Sequence, residues 1–521
     1  MTGRPDRATA DAALGRVARG GALGLAGAVA AAGAGFILVA VVTRVLGAAT
    51  AGVFFALTSL FTLVVAIGTL GTDTGLGRFL LRHRASGGAL AVRSLVRVAG
   101  IPAMAASVLL GAVLVVGAET WARVLGLGEE AAPALVVLGA LVPAAVLGEV
   151  ALAAARAHGR IRSTVVVDRL VRAWWQPLVV GALLAAGVGT TGLLLGWASA
   201  YVVSAVLAVL ALRGLLRAGP PGETPPADGE VAAEFWSFTW LRGLARIAQV
   251  AVQKIDVVLV AALASPAAAA VYTAATRFVP LGQLSTQSLQ QVLQPRFTAL
   301  LMEGDTPALA RVYRVATAWS ILLAWPLYLG VAGLSGTYLA LFGHEVTGAD
   351  ARVVVWVMAG AMMLAVASGP VDTLLLMSGR SAASAGNALV SLTVNLTGLV
   401  LLVPAWGIRG AAVAWAAAVL VRCGLAVVQV RRAVGVDPFS LQVGAAALAP
   451  VLCIGAPLLL VGALDPPLLL ALGAAVVVVA AYGAVLAVAR RRFELDLAVA
   501  ALRGRAAAAD TTPLTSTGGV R

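Results

Sequence analysis

The sequence predicts an all-α polytopic membrane protein of about 14 transmembrane helices, arranged as two six-helix pseudo-repeat lobes followed by two extra C-terminal helices. Three observations lead to this fold class. Of the 521 residues, 61% are hydrophobic and only 12% are charged, about half the charged fraction of an average soluble protein. Apolar runs that are long enough to cross a bilayer as a helix recur from Gly20 to Val488. Arginine is concentrated in every second connection between these runs.

The individual helices follow from the apolar runs in chain order. Six runs precede a polar stretch, six follow it, and two more lie before a basic tail. The polar stretch is rich in Pro, Gly and acidic residues, which is typical of a linker. The predicted spans start near Gly21, Ala51, Leu95, Ala131, Leu170, Gly192, Leu244, Val271, Tyr313, Val353, Ala382, Gly410, Val443 and Leu468.

These spans divide the chain into five segments and give it an orientation. We expect an N-terminal lobe (1–216, spans 1–6), a cytoplasmic linker (217–234), a C-terminal lobe (235–432, spans 7–12), spans 13 and 14 (433–489) and a basic cytoplasmic tail (490–521). With the N-terminus in the cytoplasm, the inner segments hold 28 arginines and the outer segments 4. Basic residues in short loops mark the cytoplasmic side. We therefore expect a multi-pass protein of the cytoplasmic membrane with both termini inside, and the net charge of +14 needs no nucleic acid partner.

An internal repeat relates the two predicted lobes. When the chain is shifted by 218 positions, Arg78-Phe79 falls on Arg296-Phe297 and Trp197 falls on Trp415. Gly159-Arg160 meets Gly379-Arg380 after a further shift of two. Because six spans are an even number, both copies enter the membrane in the same direction, and an axis along the membrane normal relates them. Two such lobes enclose a central cavity, which is the expected route of a substrate.

Three connections resemble those of a known family. The stretches VTRVLGAATAGVFFAL (42–57), DVVLVAALASPAAAAVYTAATRF (256–278) and SGRSAASAGNALVSLTVNL (378–396) look like its first-to-second, seventh-to-eighth and tenth-to-eleventh connections, with Asp256, Tyr272 and Pro295 at familiar places. With two six-span lobes and two extra spans, the chain resembles the polysaccharide flippases of the multidrug/oligosaccharidyl-lipid/polysaccharide exporter superfamily. Peptidoglycan-precursor flippases are a poorer match, because their charged motif near the first span is absent.

Span 7 carries the most informative polar residues, since charges at bilayer depth are rare and usually face a cavity. At about 100° per residue, Arg242, Arg246, Gln249, Gln253 and Asp256 share one stripe of the helix. Lys254, the only lysine of the chain, lies about 120° from the centre of that stripe. It either flanks the cavity or faces a neighbouring helix, and Asp256 either binds a coupling cation or neutralises this lysine.

Other spans add polar faces to the same predicted cavity. Span 8 contributes Arg277, Gln283 and Gln287, and span 11 contributes Asn387 and Asn395. Span 2 contributes Asp73, a second candidate for ion coupling. The alternative interpretation of these amide stripes is hydrogen bonding between packed helices. Arg246, Lys254 and Arg277 together suit an anionic ligand, because guanidinium groups bind phosphate oxygens in pairs and lysine supplies a point charge.

The resemblance implies the ligand and the function. It implies a flippase that moves a polyprenyl-(pyro)phosphate-linked oligosaccharide across the membrane by alternating access, with membrane lipids, and a polysaccharide polymerase or glycosyltransferases, as partners. Scattered His and Cys residues predict no metal site, and the lack of a Gly-rich phosphate loop predicts no nucleotide cofactor. Two alternatives stay open: a multidrug or cation antiporter of the same superfamily, and an envelope glycosyltransferase or polymerase. Short outer loops disfavour the enzyme, and we expect no catalytic residues.

Overall fold

A computed structural model describes residues 7–86, 89–157, 164–216, 228–464, 466–491 and 493–494 of the chain. Within these ranges the regular structure is entirely helical, as the sequence predicts. Residues 217–227 of the expected linker, the expected tail beyond 494 and the Gly159-Arg160 pair of the repeat lie outside the described residues. Residues 228–234, which the sequence places in the linker, belong instead to the following helix.

The N-terminal half (7–216) contains eight α-helices and one π-helical segment, Val165–Arg172, which continues directly into an α-helix. A bend at Thr69 to Gly71 separates the second helix from the third, and Leu70 and Gly71 both have positive φ there. The helices are α1 (Arg7–Val45), α2 (Ala48–Gly68), α3 (Thr72–Ser86), α4 (Ala89–Val116), α5 (Ala118–Val124), α6 (Ala132–Ala157), α7 (Ala173–Ala185) and α8 (Thr190–Leu216).

The C-terminal half (228–494) contains the remaining helices. The longest of them breaks at Gly407, whose φ of 56° and ψ of −134° are not helical, so two antiparallel segments follow one another there. The helices are α9 (Asp228–Leu263), α10 (Pro266–Thr276), α11 (Val279–Glu303), α12 (Thr306–Gly333), α13 (Ser335–Ala340), α14 (Ala349–Ala367), α15 (Val371–Met377), α16 (Ser381–Val434), α17 (Leu441–Pro450), α18 (Ala456–Ala463) and α19 (Leu468–Val488).

Ten helices within the described residues are long and apolar enough to cross a membrane, so the chain is a multi-pass membrane protein. Helices lie at all the positions where the sequence predicts spans, yet the count of fourteen stays a prediction. Three of the predicted spans are not among the ten. They are the π-helical segment with α7, the helix α9, and α10 with α11. These segments carry the charged and amide residues that lower their hydropathy, and α9 to α11 hold most of the predicted site.

Local sequence signals explain where several C-terminal helices begin and end. The hydroxyl of Ser265 accepts a hydrogen bond from the Ala268 amide at 3.1 Å, and Pro266 follows as the first residue of α10. Asp305 caps α12 in the same way. Capping side chains satisfy amides that have no partner within the helix. Gly304 ends α11 in the left-handed conformation, where a glycine pays no steric penalty.

The two halves meet at the end of the bundle that the arginine distribution places outside, called here the outer end. The Ala48 amide donates a hydrogen bond to the Glu345 carboxylate at 2.7 Å, and Nε of Arg44 donates one to the Leu341 carbonyl at 2.8 Å. A methyl group on Gly52 would lie 1.6 Å from the Pro266 carbonyl oxygen. The backbones are therefore in direct contact, and the outer end is closed.

The halves also meet at the opposite, inner end. A methyl group on Gly71 would lie 2.2 Å from the Cα atom of Gly243, so the bend after α2 rests directly on α9. The Arg78 guanidinium lies 4.2 Å from the centroid of the Phe238 ring, a cation–π contact. The structure is therefore closed at both ends, with α1, α2 and α3 of one half against α9, α10 and α11 of the other.

Candidate functional site

Arg277 joins the two halves in the middle of the molecule. It lies at the break between α10 and α11, and its Nε donates a hydrogen bond to the Gly35 carbonyl of α1 at 3.1 Å. A methyl group on Gly35 would lie 1.8 Å from Nη2 of Arg277, so the glycine makes room for the guanidinium. In the described part of the chain Arg277 forms no ion pair with a carboxylate.

Arg246 and Asp73, predicted separately as an anion-binding and an ion-coupling residue, form an ion pair across the inner end. Nε of Arg246 lies 3.8 Å from Oδ2 of Asp73, and the two side chains are 53% and 30% exposed. A pair this open contributes at most about 1 kcal/mol, so a stronger ligand can separate it. Oδ1 of Asp73 also accepts a hydrogen bond from the Thr74 amide, which holds the carboxylate at the start of α3.

Asp256 is buried, with 4% of its surface exposed. Its Oδ2 accepts a hydrogen bond from the Tyr272 hydroxyl at 2.8 Å, and its Oδ1 accepts one from the Val257 amide at 2.8 Å. The Asp256 carboxylate thus links α9 to α10, and among the described residues it forms no ion pair with Lys254. This agrees with the spacing, since residues two apart on a helix point in different directions.

Lys254 is partly buried and forms no hydrogen bond or ion pair with any described residue. Its ammonium group interacts electrostatically with Arg277 and with Asp256. The Lys254 ammonium and the Arg277 guanidinium therefore act on each other within the bundle. Among the described residues neither is in contact with a carboxylate, although the Asp256 charge also acts on Lys254. This is the arrangement that a phosphate-bearing ligand would neutralise.

A cavity of about 80 Å³ with a mixed polar and apolar lining lies in the C-terminal half. Three of the predicted amide residues, Gln249, Gln253 and Gln283, line it. Arg422 and Trp415 of α16 line it too. The remaining predicted amide of this group, Gln287, is exposed on α11 and is not part of the cavity wall.

The predicted amide stripe of span 11 packs against the second segment of α16. Asn387 and Gln429 exchange two hydrogen bonds between their side-chain amides, at 2.7 and 2.8 Å, and the Ser391 hydroxyl donates to the Ala418 carbonyl at 2.9 Å. This geometry corresponds to the interhelical alternative for these residues. Asn395 is fully buried, and neither of its amide atoms has a hydrogen-bond partner among the described residues.

Two arginines that are not among the predicted site residues form ion pairs inside the bundle. Arg422 of α16 lines the cavity and pairs with Asp372 of α15 at 3.5 Å. Arg172 of the π-helical segment pairs with Glu149 of α6 at 2.9 Å and with Asp168 one turn earlier. An acid and an arginine on different predicted spans are the signal that could have identified the pairs Arg422–Asp372 and Arg172–Glu149.

Solved structures with the same architecture are transporters. The chain is similar to a lipid II flippase MurJ in an inward closed conformation, with a TM-score of 0.67 and 10% identity over 87% of this chain and 96% of that one. It is similar to an inward-facing multidrug resistance MATE family transporter of the MOP superfamily, with a TM-score of 0.59 and 14% identity over 78% and 94% of the two chains. It is similar to a MOP superfamily transporter from Pyrococcus furiosus, with a TM-score of 0.53 and 16% identity over 82% of this chain and 96% of that one.

These identities establish the fold and leave the cargo open. No curated protein matches the chain significantly. The family model described as polysaccharide biosynthesis protein matches residues 17–301, which is more than half of the sequence and includes most of α1, all of α9 and α10, and almost all of α11. The matched region thus includes Gly35, Asp73, Arg246, Lys254, Asp256 and Arg277. The chain therefore belongs to the polysaccharide biosynthesis protein family and has the fold of the MOP superfamily of transporters.

Proposed function

We propose that the chain flips a polyprenyl-pyrophosphate-linked oligosaccharide across the cytoplasmic membrane by alternating access of its two halves. Membership of the polysaccharide biosynthesis protein family and the MOP fold support this function. The observation that carries it is the pair Lys254 and Arg277. These two basic groups interact electrostatically within the bundle, and among the described residues neither is in contact with a carboxylate, with Asp256 acting on Lys254 only through its charge.

A pyrophosphate group suits this arrangement chemically. Its oxygens accept hydrogen bonds from a planar guanidinium in pairs, and the Lys254 ammonium adds a point charge. Among the described residues the Arg277 guanidinium donates to one acceptor, the Gly35 carbonyl, so its other donors can bind a ligand. Arg246 adds a third basic group once its open ion pair with Asp73 separates. The polyprenyl tail remains in the lipid while the head group crosses.

The closed ends supply the gates for alternating access. The outer contacts involve Arg44, Ala48 and Gly52, and the inner contacts involve Gly71 and Asp73. Opening one set while keeping the other exposes the middle of the molecule to one side at a time. Ion antiport or the membrane potential drives the cycle in this proposal, and Asp73 and Asp256 are the candidate coupling residues.

The proposal includes location and partners. Arginine in the inner connections supports cytoplasmic termini, and the cargo requires the cytoplasmic membrane, where such lipids are assembled. A polysaccharide polymerase or glycosyltransferases act before and after the flipping step, and we propose them as partners of this chain.

The test is the lipid pool of cells that lack this protein. A polyprenyl-pyrophosphate oligosaccharide should accumulate with its head group on the cytoplasmic side. The wild-type chain should clear it, whereas Lys254→Ala with Arg277→Ala should not, although the doubly substituted chain reaches the membrane. An unchanged lipid pool together with increased sensitivity to organic cations would refute the proposal and favour the multidrug antiporter.

A further inference from the structure

The cavity inside the C-terminal half is distinct from the basic groups at the contact between the halves. Helices α9, α11, α14 and α16 form its walls, and no residue of the N-terminal half lines it. Its polar lining lies one turn further along α9 than Arg246, because Gln249 and Gln253 continue the same stripe. A ligand that spans both places would therefore put one chemical group at the basic residues and another in the cavity.

The lining of the cavity is polar but close to electrically neutral. Three glutamine amides offer both donors and acceptors, and no acidic side chain lines the cavity. Asp372 lies 3.5 Å from the Arg422 guanidinium and offsets its charge. A cation would find no carboxylate ligand there, and an anion would compete with Asp372. The composition favours an uncharged ligand that is rich in hydroxyl groups.

Two side chains in the wall add specificity to this polarity. Trp415 lines the cavity with the small part of its side chain that is not buried, 4% of its surface, and contributes apolar wall there. Arg422 also lines the cavity, and its guanidinium, which pairs with Asp372, has further N–H donors that can bind a hydroxyl oxygen.

The size of the cavity suits a single ring. A volume of about 80 Å³ holds about six water molecules, which is the scale of one sugar ring. A sugar ring also combines an apolar C–H face with a rim of hydroxyl groups, which matches a wall that places three amides and the Ser391 hydroxyl beside an indole and several aliphatic side chains.

We propose that this cavity binds one uncharged sugar unit of the cargo, with the ring against Trp415 and its hydroxyl groups on Gln249, Gln253, Gln283 and the Arg422 guanidinium. The inference deepens the proposed function and rests on it for the nature of the cargo. Arg422 lies about 21 Å from the start of its helical segment at Ile408, so the sugar is held near the middle of the membrane. The cavity then sets which sugar the protein accepts.

The test measures saturation-transfer difference NMR with the full chain in lipid nanodiscs. The probes are the methyl glycosides of glucose, galactose, mannose and N-acetylglucosamine, with methyl glucuronide as the charged comparison. At least one neutral glycoside should receive saturation, most strongly at its ring C–H protons. Gln253→Leu and Trp415→Leu should each reduce the signal about fivefold or more, as expected for the loss of one good contact. Gln442→Leu and Trp406→Leu, matched substitutions outside the cavity, should leave it unchanged.

Two results would overturn the inference. The first is that no neutral glycoside gives a signal that Gln253→Leu reduces. Gln253→Leu is the deciding variant if Trp415→Leu fails to fold. The other is a stronger signal from the glucuronide that Arg422→Gln abolishes, which would make the cavity an anion site. Glycoside binding without accumulation of a lipid-linked oligosaccharide in deletion cells would refute the proposed function and leave the cavity assignment intact. Accumulation of a lipid-linked oligosaccharide in deletion cells, without binding of any glycoside to the cavity, would refute the cavity assignment alone.

Discussion

Replacing Gly35 with alanine tests whether the contact between α1 and Arg277 holds the closed conformation. The new methyl group would lie 1.8 Å from Nη2 and 3.0 Å from Cζ of Arg277. An ordinary contact begins at 3.4 Å, so the guanidinium must move by about 1.6 Å. The atoms in the way are the end of a long flexible side chain, and they can move without disturbing the helices. We therefore expect the variant to fold and to insert normally.

The displacement should break the 3.1 Å hydrogen bond from Nε of Arg277 to the Gly35 carbonyl. A hydrogen bond from a charged group contributes about 1.5–3 kcal/mol. Because each 1.4 kcal/mol corresponds to a tenfold change in an equilibrium constant, the ratio of open to closed molecules should rise by about tenfold to about 100-fold. The open form would then become detectable without any substrate.

The assay is double electron–electron resonance between spin labels at Val45 and Leu263, two exposed positions at the outer ends of α1 and α9. Both native cysteines are first replaced by alanine. Gly35→Ala should add a longer distance to the distribution. Gly33→Ala is the matched control, because a methyl group there would meet no atom within 4 Å. Arg277→Ala should produce the same shift, and the double variant should add nothing to it.

The reasoning is refuted if Gly35→Ala and Gly33→Ala give the same distance distribution. It is also refuted if the shifts of Gly35→Ala and Arg277→Ala are additive. Two substitutions that remove the same contact should shift the equilibrium no further together than either does alone.

The other predictions concern charge, coupling, gating and helix packing. Lys254→Ala should reduce flipping in the lipid-pool assay. Lys254→Arg should retain part of the flipping activity, because a guanidinium keeps the positive charge of the ammonium group but not its shape. Normal flipping by Lys254→Ala would make the lysine a packing residue. Asp256→Asn should abolish dependence on the ion gradient while cargo still binds, whereas an unchanged gradient dependence would exclude Asp256 as a coupling residue. Cysteines at Val45 and Leu263, once crosslinked, should block flipping reversibly; full activity in the crosslinked protein would exclude rigid rocking. Asn387→Leu should lower the free energy of unfolding by about 1–3 kcal/mol, because it leaves the side-chain amide of Gln429 without its hydrogen-bond partner; an unchanged melting temperature would contradict this.

Helix periodicity predicts one polar face on α9, because a regular helix fixes the direction of each side chain relative to its neighbours. In the structure Gln249 and Gln253 line one cavity, and Arg246 on the same stripe reaches Asp73. Asp256, predicted on this stripe, is instead buried against α10. The resemblance marked Asp256 and Tyr272 as familiar residues of one connection without pairing them, and the structure joins them by a hydrogen bond.

Contacts between distant parts of the chain could not be predicted in this way. The partner of Arg277 is a backbone carbonyl 242 residues away, and no sequence pattern marks a carbonyl. The pairing of Asn387 with Gln429 depends on the turn at Gly407, which sets the register of two antiparallel segments.

The strongest constraint on the mechanism is that Arg277 must be held without substrate and released with it. A guanidinium at bilayer depth is costly without partners, and the Gly35 carbonyl partly satisfies it while tying the two halves together. A phosphate offers Arg277 a stronger, charge-assisted partner. Binding of the cargo phosphate to Arg277 would therefore weaken the hydrogen bond between Arg277 and the Gly35 carbonyl of α1. On this reasoning the residue that binds the cargo also controls opening, and Gly35→Ala separates these two roles.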